Sequence, residues 1–234
     1  MKVFVAPEWA IPTARMSYDD ATTPAMGLYD PYDYSRWRTV ELIREQIGDL
    51  PGMVAEAGVY QGDFARLLNH CFPDRTLFLY DTFEGNDERD LSHDAEKGLI
   101  DEGFAERWSY FKEVAPIIEE IKQKMPHPEQ CVFRKGYFPE TIGPEEEKEK
   151  FVFVSIDIML YKPTYAALEF FYPRLQEGGA IFVRAYNMPC CLWQAGANAE
   201  ESPAKRACLD AEKRFGPFKK LPLPNNDGTL VILK

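Results

Sequence analysis

Short apolar runs alternate with amphipathic stretches along most of the chain, the pattern of strands and helices in an α/β protein. The run Phe151–Ile156 is apolar at five of six positions, as in a parallel strand that is buried on both faces. Arg36–Ile47 instead carries apolar side chains at roughly helical spacing. We predict strands at 54–57, 76–80, 131–135, 151–156 and 180–183, and helices at 36–47, 63–71, 104–124, 164–175 and 204–215.

Two further apolar runs near the carboxyl terminus, 218–221 and 229–233, flank the turn sequence Asn226-Asp227-Gly228 and predict an antiparallel pair. Strands that alternate with helices and end in such a pair predict a doubly wound α/β sheet. We expect this sheet to be mostly parallel with one antiparallel C-terminal strand. It would form a single domain at 51–234, preceded at 1–50 by an arm and a cap helix.

Two polar stretches interrupt the alternation. Residues 84–103 are rich in acidic side chains, and because long loops in compact domains often serve as lids or binding segments, we interpret this stretch as a lid loop. The run 145–150 contains only Glu and Lys and is typical of a solvated charged turn or helix end. Pro116 is expected to kink the helix at 104–124.

Charge and composition exclude several classes of partner. The 234 residues carry a net charge of −11, which argues against nucleic acid and against an anionic membrane surface, because both are bound through clustered Lys and Arg. No apolar run approaches transmembrane length, and the first residues become charged too early for a signal peptide. Five cysteines without metal-ligand spacing indicate a reducing compartment. We therefore expect a cytoplasmic protein.

The turn after the first predicted strand indicates a ligand. Glu56 ends that strand, Gly58 and Gly62 bracket the turn, and Asp81 ends the next strand. Glycines at such a turn let a ligand approach the backbone, and an acid at the next strand end can bind two ribose hydroxyls. The spacing Gly-x-x-x-Gly differs from the Gly-x-Gly-x-x-Gly of pyrophosphate binders. It therefore favours a nucleoside without phosphates, such as S-adenosylmethionine (SAM).

Further polar positions follow the other strands, and in α/β sheets ligands lie at the carboxyl ends of strands. Together these segments resemble the macrocin O-methyltransferase family, SAM-dependent enzymes that methylate sugar hydroxyls in antibiotic and polysaccharide pathways. The resemblance covers roughly residues 34 to 234. The segments that carry it are GVYQGDFA at 58–65, LYDTFEGNDERD at 79–90, KGYFPET at 135–141, SIDIMLYKPTY at 155–165 and FYPRLQEGGAIFVRAYN at 171–187.

The resemblance implies a Rossmann-like class I methyltransferase fold and methyl transfer from SAM to a small-molecule acceptor, either a sugar or a natural-product intermediate. The implied cofactor-binding residues are Glu56, Gly58, Tyr60 and Gly62 beside the methionine part, Asp81 on the ribose with Thr82 and Phe83 beside the adenosine, Gly136, Tyr137 and Phe138 near the adenine, and Asp157. For the aromatic side chains of Tyr137 and Phe138, packing in the core is the alternative.

The chain departs from the family at the metal positions. Members usually show Asp-x-Asp-x-Tyr after the fourth strand and Asp-Tyr after the fifth, and those carboxylates hold Mg²⁺. Here the segments read Asp157-Ile158-Met159-Leu160-Tyr161 and Arg184-Ala185-Tyr186, so only one carboxylate survives. Because Mg²⁺ needs several hard oxygen ligands, we expect no metal here. Arg184 would pair either with Asp157 or with a carboxylate of the substrate.

Without a metal, the acceptor must already be nucleophilic or the protein must supply a base. His93 in the lid stretch is our candidate base, and Asp157, Arg184 and His93 form the candidate catalytic set. A solvated histidine is the alternative for His93. His70 and His127 are interpreted as structural.

Two functions stay open at this point: a metal-independent methyltransferase, and a SAM-binding homologue that does not transfer methyl groups. In either case we expect a homodimer, because the amino-terminal arm is aromatic and aromatic side chains favour interface cores. Alternatively, these side chains line the substrate pocket. The aromatic residues of the arm are Trp9, Tyr18, Tyr29, Tyr32 and Tyr34.

Overall fold

The computed structural model describes residues 31–101, 103–107, 118–187, 201–223 and 228–234, with side chains from residue 35 onwards. Residues 1–30 of the amino-terminal arm, the predicted kink at Pro116 and the first two residues of the turn at 226–228 lie outside these ranges, whereas Tyr32 and Tyr34 of the arm lie in the first helix. Within the described residues, no helix is long and apolar enough to cross a membrane.

In the described part of the chain, seven strands form one sheet in the order β3-β2-β1-β4-β5-β7-β6. Strands β1 to β5 pair in parallel, and β7 pairs antiparallel with both β5 and β6. The predicted doubly wound sheet with one antiparallel C-terminal strand is therefore confirmed. The strands are β1 (Met53–Ala57), β2 (Leu77–Asp81), β3 (Cys131–Lys135), β4 (Phe151–Ile156), β5 (Leu175–Val183), β6 (Lys219–Pro222) and β7 (Leu230–Leu233).

Helices cover both faces of the sheet. One face packs against α6 and α7, and the opposite face packs against α1, α2 and α5, so the sheet is buried between two apolar layers. The described helices are α1 (Pro31–Ile47), α2 (Asp63–Cys71), α3 (Glu88–Glu96), α4 (Phe104–Arg107), α5 (Ile118–Lys124), α6 (Tyr161–Arg174) and α7 (Pro203–Phe215).

The interpretation of residues 84–103 as a loop was wrong, because α3 lies within them. Asp87 caps this helix by accepting a hydrogen bond from the backbone N–H of Arg89. The buried side of α3 consists of Asp90, Leu91 and Asp94. A helix that buries two carboxylates lacks the apolar stripe by which amphipathic helices are predicted.

The interpretation of residues 145–150 as wholly solvated was also wrong. Glu146 is completely buried, and its carboxylate accepts hydrogen bonds from the Nε–H of Arg134 at 2.6 Å and from the hydroxyl of Tyr80 at 3.3 Å. The charged run thus anchors the segment before β4 to strands β2 and β3. Several boundaries also differ from the prediction, most of all at α6, which begins at Tyr161, and at β5, which begins at Leu175.

Candidate functional site

The strand ends that we selected from the sequence lie along one edge of the sheet. Backbone hydrogen bonds between neighbouring parallel strands continue just beyond the ends of the strands. The strand order reverses between β1 and β4, and α/β sheets bind ligands at such a reversal point. The hydrogen bonds that align these ends run from Gly58 N to Tyr80 O (2.8 Å), Gly136 N to Asp81 O (2.9 Å), Asp157 N to Ala57 O (2.7 Å) and Arg184 N to Ile156 O (2.9 Å).

Asp81 holds the turn between β1 and α2. Its Oδ2 accepts hydrogen bonds from the backbone N–H groups of Val59 at 2.7 Å and Tyr60 at 2.9 Å, and its Oδ1 accepts one from Phe83 N at 2.7 Å. The hydroxyl of Thr82 lies 3.5 Å from the same Oδ1, so the roughly four acceptor positions of the carboxylate already face protein donors, and a ligand hydroxyl would take the place of the Thr82 contact. The ribose assignment of Asp81 stays a prediction, and the structure adds a second role for this residue in shaping the turn.

Gly58 is required by a close approach of two backbones. Its φ is 91°, and a Cβ atom there would lie 2.4 Å from the carbonyl oxygen of Asp157. Gly62 precedes α2 with a φ of 82°, and Asp63 then lies in the first helical turn. Gly58 therefore brings the β1–α2 turn against the end of β4, whereas a Cβ at Gly62 would meet the side chain of Ile121 on α5 at 2.5 Å.

Glu56 is a buried acid beneath this turn. It is 1% exposed, and its Oε2 has no hydrogen-bond partner among the described residues. Burial raises the pKa of Glu56 well above its ordinary value, and the negative charges of Asp157 and Asp81 add to this effect while Arg36 and Arg184 oppose it. An unpaired buried oxygen fits a polar group of a bound ligand.

The aromatic residues after β3 contact other protein groups. Phe138 is buried in the core against Tyr80 and Phe171, with ring centroids 5.3 and 5.9 Å away, which favours packing as its role. Tyr137 donates a hydrogen bond from its hydroxyl to Asp90 at 2.8 Å, and the guanidinium of Arg89 lies 3.7 Å from its ring centroid.

Thr82 and Phe83 form the loop directly after Asp81. The hydroxyl of Thr82 donates to the backbone oxygen of Gly85 at 2.6 Å. Phe83 is buried with a φ of 53°. Both residues therefore shape the segment that leads from β2 to α3, and their proximity to adenosine stays a prediction.

The charged groups after β4 and β5 pair with each other. The Arg184 guanidinium donates a hydrogen bond to Asp157 Oδ2, so the side chain that we considered for a substrate carboxylate is an ion-pair partner of Asp157. No group of three or more His, Cys, Asp and Glu within the described residues could hold a metal ion. The residues present do not fit an Mg²⁺ site, because Asp157 is the one carboxylate left at the family's metal positions and it is bound to a cation.

Apolar side chains fill the space beside this ion pair. Met159 packs against a buried cluster formed by Leu91 of α3, Ile100, Phe104, Leu160 and Ala185. Met159 and Ala185 are the positions at which the family that the sequence resembles carries carboxylates. Hydrophobic contacts between α3, α4 and the ends of β4 and β5 thus occupy the place of charged ligands.

Two buried aspartates attach α3 to opposite parts of this edge. Asp90 accepts the hydrogen bond from Tyr137, which follows β3, and Asp94 Oδ2 accepts one from the backbone N–H of Tyr161 at 2.8 Å, after β4. Burial raises the pKa of Asp90 to about 6 and also raises the pKa of Asp94. Because β2 and β1 lie between β3 and β4, α3 spans the edge that carries the turn.

His93 lies on α3, next to Asp94. Its Nδ1 is 2.8 Å from Asp94 Oδ1, and its ring stacks on Tyr161 with the ring centroids 5.4 Å apart. The side chain is 20% exposed. The histidine is therefore held in one orientation and is not simply solvated.

Sequence reasoning missed the backbone strain at this edge. Among the described residues, four other than glycine have positive φ, one in each loop after β1, β2, β4 and β5; they are Tyr60, Phe83, Met159 and Ala185. Such conformations cost about 1–3 kcal/mol each and cluster at functional sites. At Met159 and Ala185 a signal was available, because the family pattern has Asp there and Asp adopts this conformation more readily than most residues.

This fold and its ligand edge define the class I methyltransferase architecture. Residues 36–200 match the model of the macrocin O-methyltransferase family, and the chain belongs to that family. It is similar to the O-methyltransferase NovP, with a TM-score of 0.67 and 21% identity over 86% of this chain and 79% of NovP. It also resembles an O-methyltransferase from Bacillus cereus solved in complex with SAH (TM-score 0.55, 13% identity, 92% of this chain and 86% of the other).

Two sequence relatives are also O-methyltransferases by name. The chain is 28% identical over 169 residues to the demethyldecarbamoylnovobiocin O-methyltransferase of Streptomyces niveus, covering 65% of this chain and 62% of the relative. It is 29% identical over 150 residues to the mycinamicin III 3''-O-methyltransferase of Micromonospora griseorubida, covering 61% and 58%. The alignments thus span about three fifths of these relatives.

Proposed function

We propose that the protein transfers a methyl group from SAM to a hydroxyl of a small-molecule acceptor, a sugar or natural-product intermediate, without Mg²⁺. Membership of the macrocin O-methyltransferase family supports the reaction class. The names of the two relatives support the acceptor class, since they specify demethyldecarbamoylnovobiocin and mycinamicin III as the methylated compounds. When bound, SAM supplies an electrophilic methyl group.

The observation that carries the proposal is the turn at the reversal point of the sheet. Asp81 fixes the backbone of Val59 and Tyr60 there, and Gly58 brings this turn against Asp157. Buried Glu56 lies beneath the turn with an unpaired oxygen. We assign Glu56, Gly58, Gly62 and Asp81 to SAM, because this set lies at the carboxyl ends of β1 and β2, where α/β sheets bind nucleosides, and because Glu56 carries a buried oxygen without a partner among the described residues.

The charges at the edge favour chemistry without a divalent cation. Mg²⁺ at Asp157 would lie close to the guanidinium of Arg184, and two like unit charges 4 Å apart repel by roughly 4 kcal/mol at an effective dielectric of 20. One carboxylate cannot readily offset this repulsion together with the loss of water from Mg²⁺. Arg184 instead supplies a fixed positive charge beside Asp157.

The proposal is tested by incubating the protein with SAM and two acceptors, demethyldecarbamoylnovobiocin and mycinamicin III, in EDTA. Mass spectrometry should detect S-adenosylhomocysteine and an acceptor heavier by one methyl group. Asp81→Ala should lower SAM affinity, since each lost charged hydrogen bond costs about 1.5–3 kcal/mol. Asp74→Ala is the matched control, because Asp74 pairs with Arg44 away from the turn.

SAM binding without transfer to any acceptor would favour a binding protein that does not methylate. A product that forms only after Mg²⁺ is added would contradict the metal-independent chemistry. Equal SAM affinity in wild type and Asp81→Ala would remove Asp81 from the binding site.

We further propose that the protein is a cytoplasmic homodimer. The aromatic arm and the exposed Leu42 on α1 support the dimer. The free thiols of Cys71, Cys131 and Cys208 support the reducing compartment. Light scattering at micromolar concentration should give twice the mass of one chain. After deletion of residues 1–30, the measured mass should fall towards that of one truncated chain. A monomer mass for the full chain would contradict the dimer.

A further inference from the structure

We propose that His93 Nε2 is the general base for the acceptor hydroxyl and that Asp94 is the residue that positions it. This inference rests on the proposed methyl transfer and names the group that takes the proton. The family's metal positions cannot assist the hydroxyl here, because Met159 and Ala185 replace two of the expected carboxylates. The chain therefore needs another group to deprotonate the acceptor.

The side chains of His93 and Asp94 form a fixed pair. Asp94 has no exposed side-chain surface, and its two oxygens are used separately: Oδ1 lies 2.8 Å from His93 Nδ1 and Oδ2 accepts the backbone N–H of Tyr161. The backbone bond prevents the carboxylate from turning away. The stacked ring of Tyr161 holds the plane of the imidazole.

This arrangement determines which nitrogen is basic. A carboxylate beside Nδ1 favours the tautomer with the proton on Nδ1, since a carboxylate accepts hydrogen bonds and does not donate them. Nε2 then carries the lone pair. The same carboxylate stabilises the imidazolium that forms when Nε2 takes a proton, as in other His–Asp pairs.

The pair lies beside the edge of the sheet that carries the turn. Asp94 contacts Tyr161, the first residue of α6. Leu91, which lies on α3 with Asp94, packs with Leu160 and Ala185 at the ends of β4 and β5. The other charged or titratable groups that face the pair are Asp90 on α3 and Tyr161 and Lys162 on α6.

The other two histidines lie at the opposite edge. α2 begins directly after the β1–α2 turn, and His70 lies at its far end, in the last helical turn. His127 precedes β3. The backbone oxygen and N–H of His127 both bond to the side chain of Asn69. These two residues therefore serve as internal controls.

The proposed step balances in atoms and charge. The acceptor oxygen forms a bond to the methyl carbon while the carbon–sulfur bond breaks and its electron pair stays on sulfur. The hydroxyl proton moves to His93 Nε2. The products are a methyl ether, neutral S-adenosylhomocysteine and imidazolium, which returns its proton to solvent.

The first experiment needs no acceptor. The protein is labelled with diethyl pyrocarbonate, with and without sinefungin, a SAM analogue that carries an amine where SAM carries the methyl group, and each histidine peptide is quantified by mass spectrometry. We expect sinefungin to slow labelling of His93 at least about threefold and to leave His70 and His127 unchanged. Calorimetry on the same sample reports whether sinefungin binds.

The second experiment uses an acceptor that is methylated by the wild type. His93→Ala should lower kcat by about 10²–10⁴-fold with little change in KM, as expected for loss of a general base. Added imidazole should restore part of the rate, and the acidic limb of the pH profile of kcat should disappear. Asp94→Asn should lower kcat at least about tenfold by favouring the wrong tautomer, and His127→Gln should match the wild type.

The outcomes separate this inference from the proposed function. Sinefungin that does not bind contradicts the proposed function itself. Sinefungin that binds while His93 is unlabelled, or labelled at an unchanged rate, overturns the role of His93. A folded His93→Ala variant that keeps kcat within about threefold overturns it as well, and circular dichroism with thermal melting establishes that the variant is folded.

Discussion

Replacement of Asp90 by asparagine should change how the stability of this protein depends on pH. Asp90 is 3% exposed and accepts a hydrogen bond from the Tyr137 hydroxyl, which attaches α3 to the segment after β3. Asparagine keeps an amide oxygen that can accept the same bond, but it cannot ionise. The variant therefore isolates the cost of the buried negative charge.

The magnitude follows from the shift in pKa. Burial raises the pKa of Asp90 from 3.8 to about 6, so the folded protein binds this proton more tightly than the unfolded chain does. The stabilisation from protonation is complete below about pH 4 and is lost as pH rises through about 6. Between pH 4.5 and pH 7.5 the linkage relation gives a loss of about 2 kcal/mol in the free energy of unfolding.

Urea unfolding of wild type and Asp90→Asn at these two pH values measures the effect. The stability of the variant relative to the wild type should be about 2 kcal/mol more favourable at pH 7.5 than at pH 4.5. Glu88→Gln, on the exposed side of the same helix, should show no such difference. If the difference in the free energy of unfolding between the variant and the wild type changes by less than about 0.5 kcal/mol between the two pH values, the assignment of a buried charge is refuted.

Three further substitutions test the packing of the edge. Gly58→Ala should cost at least about 2 kcal/mol in urea unfolding, because φ is 91° and the new Cβ would meet the Asp157 carbonyl at 2.4 Å; a neutral effect would contradict the close approach. Arg184→Gln should cost about 1.5–3 kcal/mol by leaving Asp157 without its cation near Glu56, and a double-mutant cycle with Asp157→Asn should show coupling between the two sites rather than additive losses. Phe104→Ala should cost about 3–5 kcal/mol because its side chain is fully buried, whereas a loss under about 1 kcal/mol would show that the apolar cluster is not formed.

Much of the sheet could be predicted from the sequence because its central strands are buried on both faces. The run at β4 is fully buried at every position, and the bounds of β3 and β4 agree with the prediction. Helix α3 could not be predicted in this way, because its buried face contains Asp90 and Asp94. Those carboxylates are satisfied by groups 47 and 67 residues away in the chain, and no local pattern indicates such partners.

The candidate site was predicted at the level of strand ends and not at the level of contacts. Position alone brought Asp81 and Asp157 to the same edge of the sheet, since parallel strands end together. The partners of Asp81 in the turn and the pairing of Arg184 with Asp157 depend on the approach of separate loops. The sequence left two partners open for Arg184, and the geometry favours the internal ion pair.

The central claim is that SAM binds at this edge without a divalent cation. Calorimetric titration of SAM into the protein, first in EDTA and then in millimolar Mg²⁺, tests it most directly. We predict binding in EDTA with an affinity that Mg²⁺ changes by less than about twofold. No binding in either buffer, or binding that appears only with Mg²⁺ and is abolished in Asp157→Asn, would contradict the claim.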